Sequence, residues 1–210
     1  MNALDLTIAV PRGALLGDTL DLLDRLGVDT SEVRSNDRKL LFESIGVVTM
    51  RPSDVPTYVE AGAADIGICG KDVLMEQAGR AVYELADLGF GGCRMVLATV
   101  AGDDPAAEAL RRLGVMRVAT KYPRIAATYL EDTGRQAEIV EVKGSVELAP
   151  LMGLVEAIVD LTATGTTLRE NGLVIREEIA DSTARLIANP VAHKLKAAQL
   201  DAMLETLRAG

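Results

Sequence analysis

Five short runs of Val, Ile, Leu and Ala, each bounded by Gly, Pro or Asp, constrain this chain more than any other feature: Leu6 to Val10, Asp65 to Cys69, Arg117 to Thr120, Ile139 to Val142 and Ala157 to Leu161. Between most of them lie helical patterns, so the chain reads as α/β with a largely parallel sheet. Leu15, Leu16, Leu20, Leu22, Leu23 and Leu26 have the spacing of a helix after the first strand, and Gly27 ends it. Near the other terminus, Asn189 and Pro190 read as an N-cap and a first-turn proline. The apolar set Leu195, Leu200, Met203, Leu204 and Leu207 then predicts one closing helix.

The densest glycine stretch, Asp87-Leu-Gly-Phe-Gly-Gly-Cys, separates one α/β unit from a new apolar strand, Met95 to Val100. A hinge is expected there. With no internal repeat and no low-complexity linker, the chain is expected to form two lobes and to cross between them more than once. Residues 1–88 with 179–210 form the first lobe, and 89–178 form the second.

Composition narrows the function. Lys+Arg number 22 against 31 Asp+Glu, a net charge of −9 that repels a nucleic-acid backbone, so any phosphate site must be local. Cys69 and Cys93 lie in apolar runs and His193 is the only histidine, which leaves no zinc constellation; the cysteines are expected to be small core residues. No basic leader and no apolar stretch near the ~20 residues of a membrane helix is visible, so a cytoplasmic protein without membrane attachment is expected.

The chemistry concentrates in Asp160-Leu-Thr-Ala-Thr-Gly-Thr-Thr-Leu, which follows an apolar run and precedes a helical segment ending at Asn171-Gly172. A strand, a small hydroxyl-rich loop and a helix make a phosphate cradle. Free N–H groups at the helix start, with Thr164, Thr166 and Thr167 hydroxyls, bind an anion, and Gly165 allows close backbone approach. Asp160 suits a ribose hydroxyl or a magnesium-bound water rather than phosphate. The local pattern equally fits plain capping by Thr164 or Thr167, the latter in a capping box with Glu170. Other phosphate signatures fail: Gly70-Lys71 is followed by Asp72, and Gly89-Phe-Gly-Gly lacks dinucleotide-loop spacing.

The longer run Glu147-Leu-Ala-Pro-Leu-Met-Gly-Leu-Val-Glu-Ala-Ile-Val-Asp-Leu-Thr-Ala-Thr-Gly-Thr-Thr-Leu closely resembles the signature of the ATP phosphoribosyltransferases. Similarity continues through Ser53-Asp-Val-Pro-Thr-Tyr-Val-Glu, Ala64-Asp-Ile-Gly-Ile-Cys-Gly-Lys-Asp-Val-Leu, Asp87-Leu-Gly-Phe-Gly-Gly-Cys-Arg, Ala119-Thr-Lys-Tyr-Pro and Ser182-Thr-Ala-Arg-Leu-Ile-Ala-Asn, covering essentially the whole chain. The resemblance implies a two-lobed fold like a type II periplasmic binding protein, with the active site in the cleft between α/β lobes. It also implies transfer of the phosphoribosyl group of phosphoribosyl pyrophosphate to N1 of the ATP adenine, the first step of histidine biosynthesis, with Mg2+ on the donor and no protein side chain assigned as its ligand.

By the same resemblance, Asp160, Thr162, Ala163, Thr164, Gly165, Thr166 and Thr167 hold the donor, with Glu147 close by. Arg38 meets the leaving pyrophosphate, and Arg12, Gly13, Arg51 and Lys71 line the nucleotide and pyrophosphate side; Arg38, Glu147 and Asp160 are the expected catalytic set. Adenine N1 already carries an in-plane lone pair, so placement and charge stabilisation matter more than a base. The chain ends at Gly210, just after the closing helix, which implies the short form without a histidine-binding regulatory domain. Such chains work with a histidyl-tRNA-synthetase-like subunit in a hetero-octamer. Two other readings are a solute binder of the same architecture, which lacks a need for the Asp160 loop, and a phosphoribosyltransferase of another base, whose usual pair of adjacent acids is missing.

The family's usual Lys-Gly-Arg after the first strand reads Arg12-Gly13-Ala14 here. Arg12 is expected to reach the anion that an arginine at position 14 would have met. Steady-state kinetics of Arg12→Ala test this: weaker pyrophosphate-side binding supports it, and parental kinetics exclude it.

Overall fold

The first apolar run forms β1 (Ile8–Pro11), buried along its whole length. It is followed by α1 (Leu16–Arg25), α2 (Ser31–Ser35), β2 (Leu41–Phe42), β3 (Val47–Met50) and α3 (Val55–Glu60). Gly27, with φ 83°, ends α1 by donating its N–H to the Asp24 carbonyl. Next come β4 (Ile66–Gly70), α4 (Lys71–Glu76) and β5 (Tyr83–Asp87). The chain continues through β6 (Cys93–Val100), α5 (Pro105–Leu113), β7 (Met116–Thr120), α6 (Pro123–Asp132) and β8 (Ala137–Glu141). After α7 (Leu148–Leu151), β9 (Ala157–Thr162), α8 (Thr166–Glu170) and β10 (Leu173–Ser182), it ends in β11 (Ala184–Ala188), α9 (Pro190–Leu195) and α10 (Ala197–Ala209). This computed structural model describes residues 4–209.

Two units result, one ending at Gly91 and resuming at Thr183, the other Gly92–Ser182. Both borders fall a few residues beyond those read from glycine density. The reason is β10, which stays paired with β6 as far as Ser182 opposite Cys93. The first unit's sheet has the order β2-β3-β1-β4-β11-β5, and the second unit's β10-β6-β9-β7-β8. Each contains a parallel trio, β3-β1-β4 and β8-β7-β9, extended by antiparallel strands. The expected largely parallel sheet is therefore mixed. Parallel neighbours need a crossover helix, whereas β6 and β11 enter their sheets straight from the chain crossings and run the other way.

Period-two alternation distributes the first unit's core over both faces of its sheet. Ile8, Val10, Ile66 and Ile68 pack with Leu20, Leu22 and Leu23 of α1 and Leu200 and Met203 of α10. Ala9, Cys69 and Ile187 pack with Val55 and Val59 of α3. In the second unit Val96, Ala98, Ala119 and Ile158 meet Val146, Ala149 and Leu168. The single closing helix expected after Pro190 is two, α9 and α10, broken at Lys196. That ammonium donates to the Asp5 carbonyl at 2.9 Å and to Asp65 at 2.8 Å. The Asn189 cap forms, its Oδ1 accepting the Val191 and Ala192 N–H groups at 2.8 and 3.0 Å. No described helix is long and apolar enough to cross a membrane.

Gly67 sits in β4 under α3, where a methyl group would stand 2.5 Å from Val55 Cγ1 and 2.8 Å from Val59 Cγ2. Both valines are fully buried. Gly67→Ala is expected to destabilise the first unit by about 1–3 kcal/mol, the usual cost of overpacking a filled core, read as a lower midpoint in thermal or urea unfolding.

Candidate active site

Parallel strands deliver their carboxyl ends, and the loops that follow, to one edge of a sheet, the usual ligand edge of α/β units. In the second unit that edge carries Asp160 to Thr162 from β9, Lys121 directly after β7, and the 142–147 segment after β8. The loop between β9 and α8 holds itself in shape. Thr162 Oγ1 accepts the Gly165 N–H at 2.8 Å, Thr164 Oγ1 accepts the Thr166 N–H at 3.3 Å, and the Thr164 and Thr166 hydroxyls share a bond of 2.9 Å. Gly165 occupies the N-cap position with φ 72°, a left-handed backbone that only glycine adopts freely, and has no side chain to cap the helix, so Thr164 Oγ1 takes the first helical N–H instead. Thr167 is already helical, so the alternative capping box with Glu170 does not form. The first N–H groups of α8 remain free of intrahelical acceptors, and Ala163, Thr164, Thr166 and Thr167 are exposed.

Arg169, not singled out in the sequence, braces this loop from α8. Its Nη1 donates to the Thr164 carbonyl at 2.8 Å and its Nη2 to Thr166 Oγ1 at 2.9 Å. The only signal for it was its place three residues after Thr166, one helical turn on.

Asp160 is half-buried, its Oδ1 accepting the Leu161 N–H at 2.8 Å. Burial pushes its carboxyl above the ordinary aspartate value. The Leu161 N–H and the positive charge of Lys121 pull it down, and the negative charge of Glu147 adds to the rise. The charges of Lys121 and Glu147 thus both act on Asp160. Glu147 stands immediately before α7, two residues after Ser145, whose φ of 46° is left-handed without being glycine. Such a residue costs about 1–2 kcal/mol, and its carbonyl recovers part of this by accepting the Leu148 N–H at 3.1 Å.

The first unit gathers cations at the same kind of edge. The Arg12 N–H bonds the Met50 carbonyl at 2.8 Å, extending the β1/β3 ladder and placing Arg12 beside Arg51. Arg12 Nε donates to Thr49 Oγ1 at 3.0 Å and Nη2 to the Lys39 carbonyl at 2.8 Å, so its guanidinium ties the segment next to Arg38 to the sheet. One of its nitrogens therefore supports Arg38's segment and another holds β3. Gly13 turns the chain with φ 83°, and Arg38 and Arg51 are exposed. Lys71 opens α4 after the parallel neighbour β4, and its ammonium pairs with Glu84 at 2.6 Å.

The arrangement offers anion sites of two kinds: backbone N–H and hydroxyl groups in the second unit, guanidinium and ammonium groups in the first. Cys69 offers no thiol nucleophile, since burial pushes its thiol up to about 12. His193 packs edge-on against Tyr83 at 5.3 Å. Among the described residues no three His, Cys, Asp or Glu side chains converge to hold a metal.

Comparison with known proteins agrees on one family. Residues 51–209 match the family model described as ATP phosphoribosyltransferase. The chain is 53% identical to the ATP phosphoribosyltransferase of Rubrobacter xylanophilus over 96% of this chain and 94% of that one. Against the Geobacter metallireducens enzyme of that name it is 47% identical, covering 96% of each. Its structure is similar to that of an ATP phosphoribosyl transferase (HisG:HisZ) complex from Thermotoga maritima, with TM-score 0.80, 36% identity and 96% of each chain covered. The periplasmic VFT2 domain of Bordetella pertussis BvgS, at 17% identity and TM-score 0.61 over 97% of this chain and 86% of that one, shares the fold alone, which is the type II periplasmic-binding-protein-like α/β class expected from the sequence.

Because the folded state holds the Asp160 proton more tightly than the unfolded chain does, its ionisation weakens the fold. Stability falls as pH rises from the ordinary aspartate value through the raised one, and stays reduced above it. Asp160→Asn is therefore expected to melt higher than the parent at pH 7, and the gain is expected to vanish at pH values below the ordinary aspartate range. Melting curves across that range check it.

Proposed function

The chain belongs to the ATP phosphoribosyltransferase family, a transferase of histidine biosynthesis, and from that premise we propose the reaction it runs and the residues that run it. N1 of the ATP adenine attacks C1 of phosphoribosyl pyrophosphate; the bond from C1 to the pyrophosphate oxygen breaks, and pyrophosphate leaves with its electron pair. The observation that carries this reading is the β9–α8 loop. It combines a half-buried carboxylate at the strand end with a helix start, hydroxyls and a left-handed glycine, matching a ribose followed by a phosphate.

Asp160 accepts from a ribose hydroxyl, its half-buried carboxyl orienting the sugar, while Thr162 to Thr167 cradle the 5′-phosphate. Glu147 adds a second carboxylate beside the ribose. Arg38, which makes no ion pair among the described residues, takes the charge that develops on the leaving oxygens, where a guanidinium fork suits pyrophosphate. Arg51 and Lys71 bind the nucleotide phosphates, Lys71 exchanging Glu84 for an anion, and Gly13 gives the backbone room beside Arg12. Mg2+ fits this donor set only as a substrate-borne ion. The two neighbouring carboxylates Asp160 and Glu147 would meet its water shell, and the ion would neutralise pyrophosphate charge.

The Thermotoga maritima structure is described as a HisG:HisZ complex. That likeness supports a partner subunit for this chain; the family resemblance extends it to a histidyl-tRNA-synthetase-like regulatory subunit, in a hetero-octamer, in the cytoplasm. Histidine inhibition is then expected only when the partner is added, and inhibition of the isolated chain would overturn this.

Near-ultraviolet absorbance tests the reaction, because ribosylation at N1 alters the adenine chromophore. With ATP, phosphoribosyl pyrophosphate, Mg2+ and pyrophosphatase, a rise that needs both substrates is expected. Arg38→Ala should lower kcat by about 10²–10³-fold, as removal of a transition-state donor does, while Asp160→Asn should chiefly raise KM for the donor. Absence of the rise with the regulatory subunit present would refute the reading.

A further inference from the structure

We propose that Lys121 is a further donor-binding residue, its ammonium meeting a phosphate oxygen of phosphoribosyl pyrophosphate and offsetting the charges of Asp160 and Glu147. The inference rests on the reaction proposed above and adds to it a residue at the same site.

Strand register puts Lys121 there. β7 and β9 run parallel with Val118 opposite Ala157, Ala119 opposite Ile158 and Thr120 opposite Val159. One residue further, just past the end of β7 and two residues before the end of β9, the neighbours are Lys121 and Asp160. The turn that carries Lys121 is fixed on both sides. Thr120 is fully buried; its Oγ1 accepts the Tyr122 N–H at 2.9 Å and its carbonyl accepts the Val142 N–H at 2.9 Å. Tyr122 is buried, and Pro123 begins α6 at once. Lys121 itself is exposed, its Nζ 5.0 Å from the centre of the Tyr122 ring, which supports the stem and leaves the N–H groups outward.

Its charge is also uncommitted. Lys39, Lys71, Lys143 and Lys196 each close an ion pair with a carboxylate, whereas Lys121 closes none among the described residues although the field of Asp160 reaches it. The loop from Asp160 to Thr167 contains no lysine or arginine, and the nearby Arg169 is occupied with the loop's own Thr164 carbonyl and Thr166 hydroxyl. A donor carrying several negative charges must approach two carboxylates at this edge. A point charge on a flexible stem both lowers that repulsion and bonds the phosphate once it arrives.

Lys121→Met removes the charge and keeps an apolar stem; Lys121→Arg keeps the charge. Each is assayed with the regulatory subunit present for KM of donor and of ATP, for kcat and for melting temperature, with calorimetric titration of the donor in Mg2+ as a direct reading. Lys121→Met is expected to weaken donor binding by about tenfold to a hundredfold, the usual loss for a charge-assisted hydrogen bond, with KM for ATP and melting temperature unchanged and with Lys121→Arg recovering most of it. Parental donor affinity in Lys121→Met would overturn the assignment and leave the proposed function standing. So would a fall in melting temperature in which donor and ATP constants move together, which marks a structural residue. An inactive parent enzyme would overturn the proposed function, and this inference with it.

Discussion

Backbone pairing between parallel strands is the constraint on which the rest depends. In β3-β1-β4 and in β8-β7-β9 the ladders align the strands so that all carboxyl ends finish at one edge of their sheet, and the chain has to leave each ladder there. Once past the last ladder bond, N–H groups and polar side chains no longer have a strand partner and turn to each other or to a ligand. Arg12, Arg51 and Lys71 stand at such exits in the first unit, and Lys121, Glu147 and the Asp160 loop in the second. The apolar residues that precede them, Ile8 to Val10, Ile66 to Cys69, Val118 to Ala119 and Ala157 to Val159, are buried almost completely, which gives these exits a rigid base.

A chain of net charge −9 that handles polyanionic substrates must concentrate its positive potential. It does so partly without cations, through a helix start and hydroxyls held by the Thr162–Gly165 and Thr164–Thr166 bonds. Where it uses cations, structural bonds decide which are available. Arg12 and Arg169 brace backbone, Lys71 is paired with Glu84, and Arg38, Arg51 and Lys121 stay clear of ion pairs. Asp160 shows the cost of such a site. A carboxylate withdrawn from water is a burden on the fold.

Among the strands read from the sequence, β1, β4, β7 and the first half of β9 are buried almost throughout, because there the apolar run is unbroken; β6 and the half-exposed β8 were read as well. β5 and β10 escaped notice for the opposite reason. Half-exposed throughout, they carry Glu84 and Asp87, or Arg176, Glu177 and Glu178, on faces that meet water or ion-pair partners, so no apolar run marks them. The break between α9 and α10 was equally illegible, since Lys196 leaves the helical course to reach Asp65, far away in sequence.

Taken by itself, the sequence determined the α/β class and the family, because these rest on local patterns: apolar runs of strand length, small residues where backbone must come close, and a long signature around Asp160. Tertiary structure alone decided the mixed sheets, the borders of the two units and the company each site residue keeps. Strand order brought Lys121 beside Asp160 and Arg12 to the Lys39 carbonyl. The physical reason is that ladders and ion pairs join residues by position in space, and a linear chain carries no local mark of which distant residue will complete them.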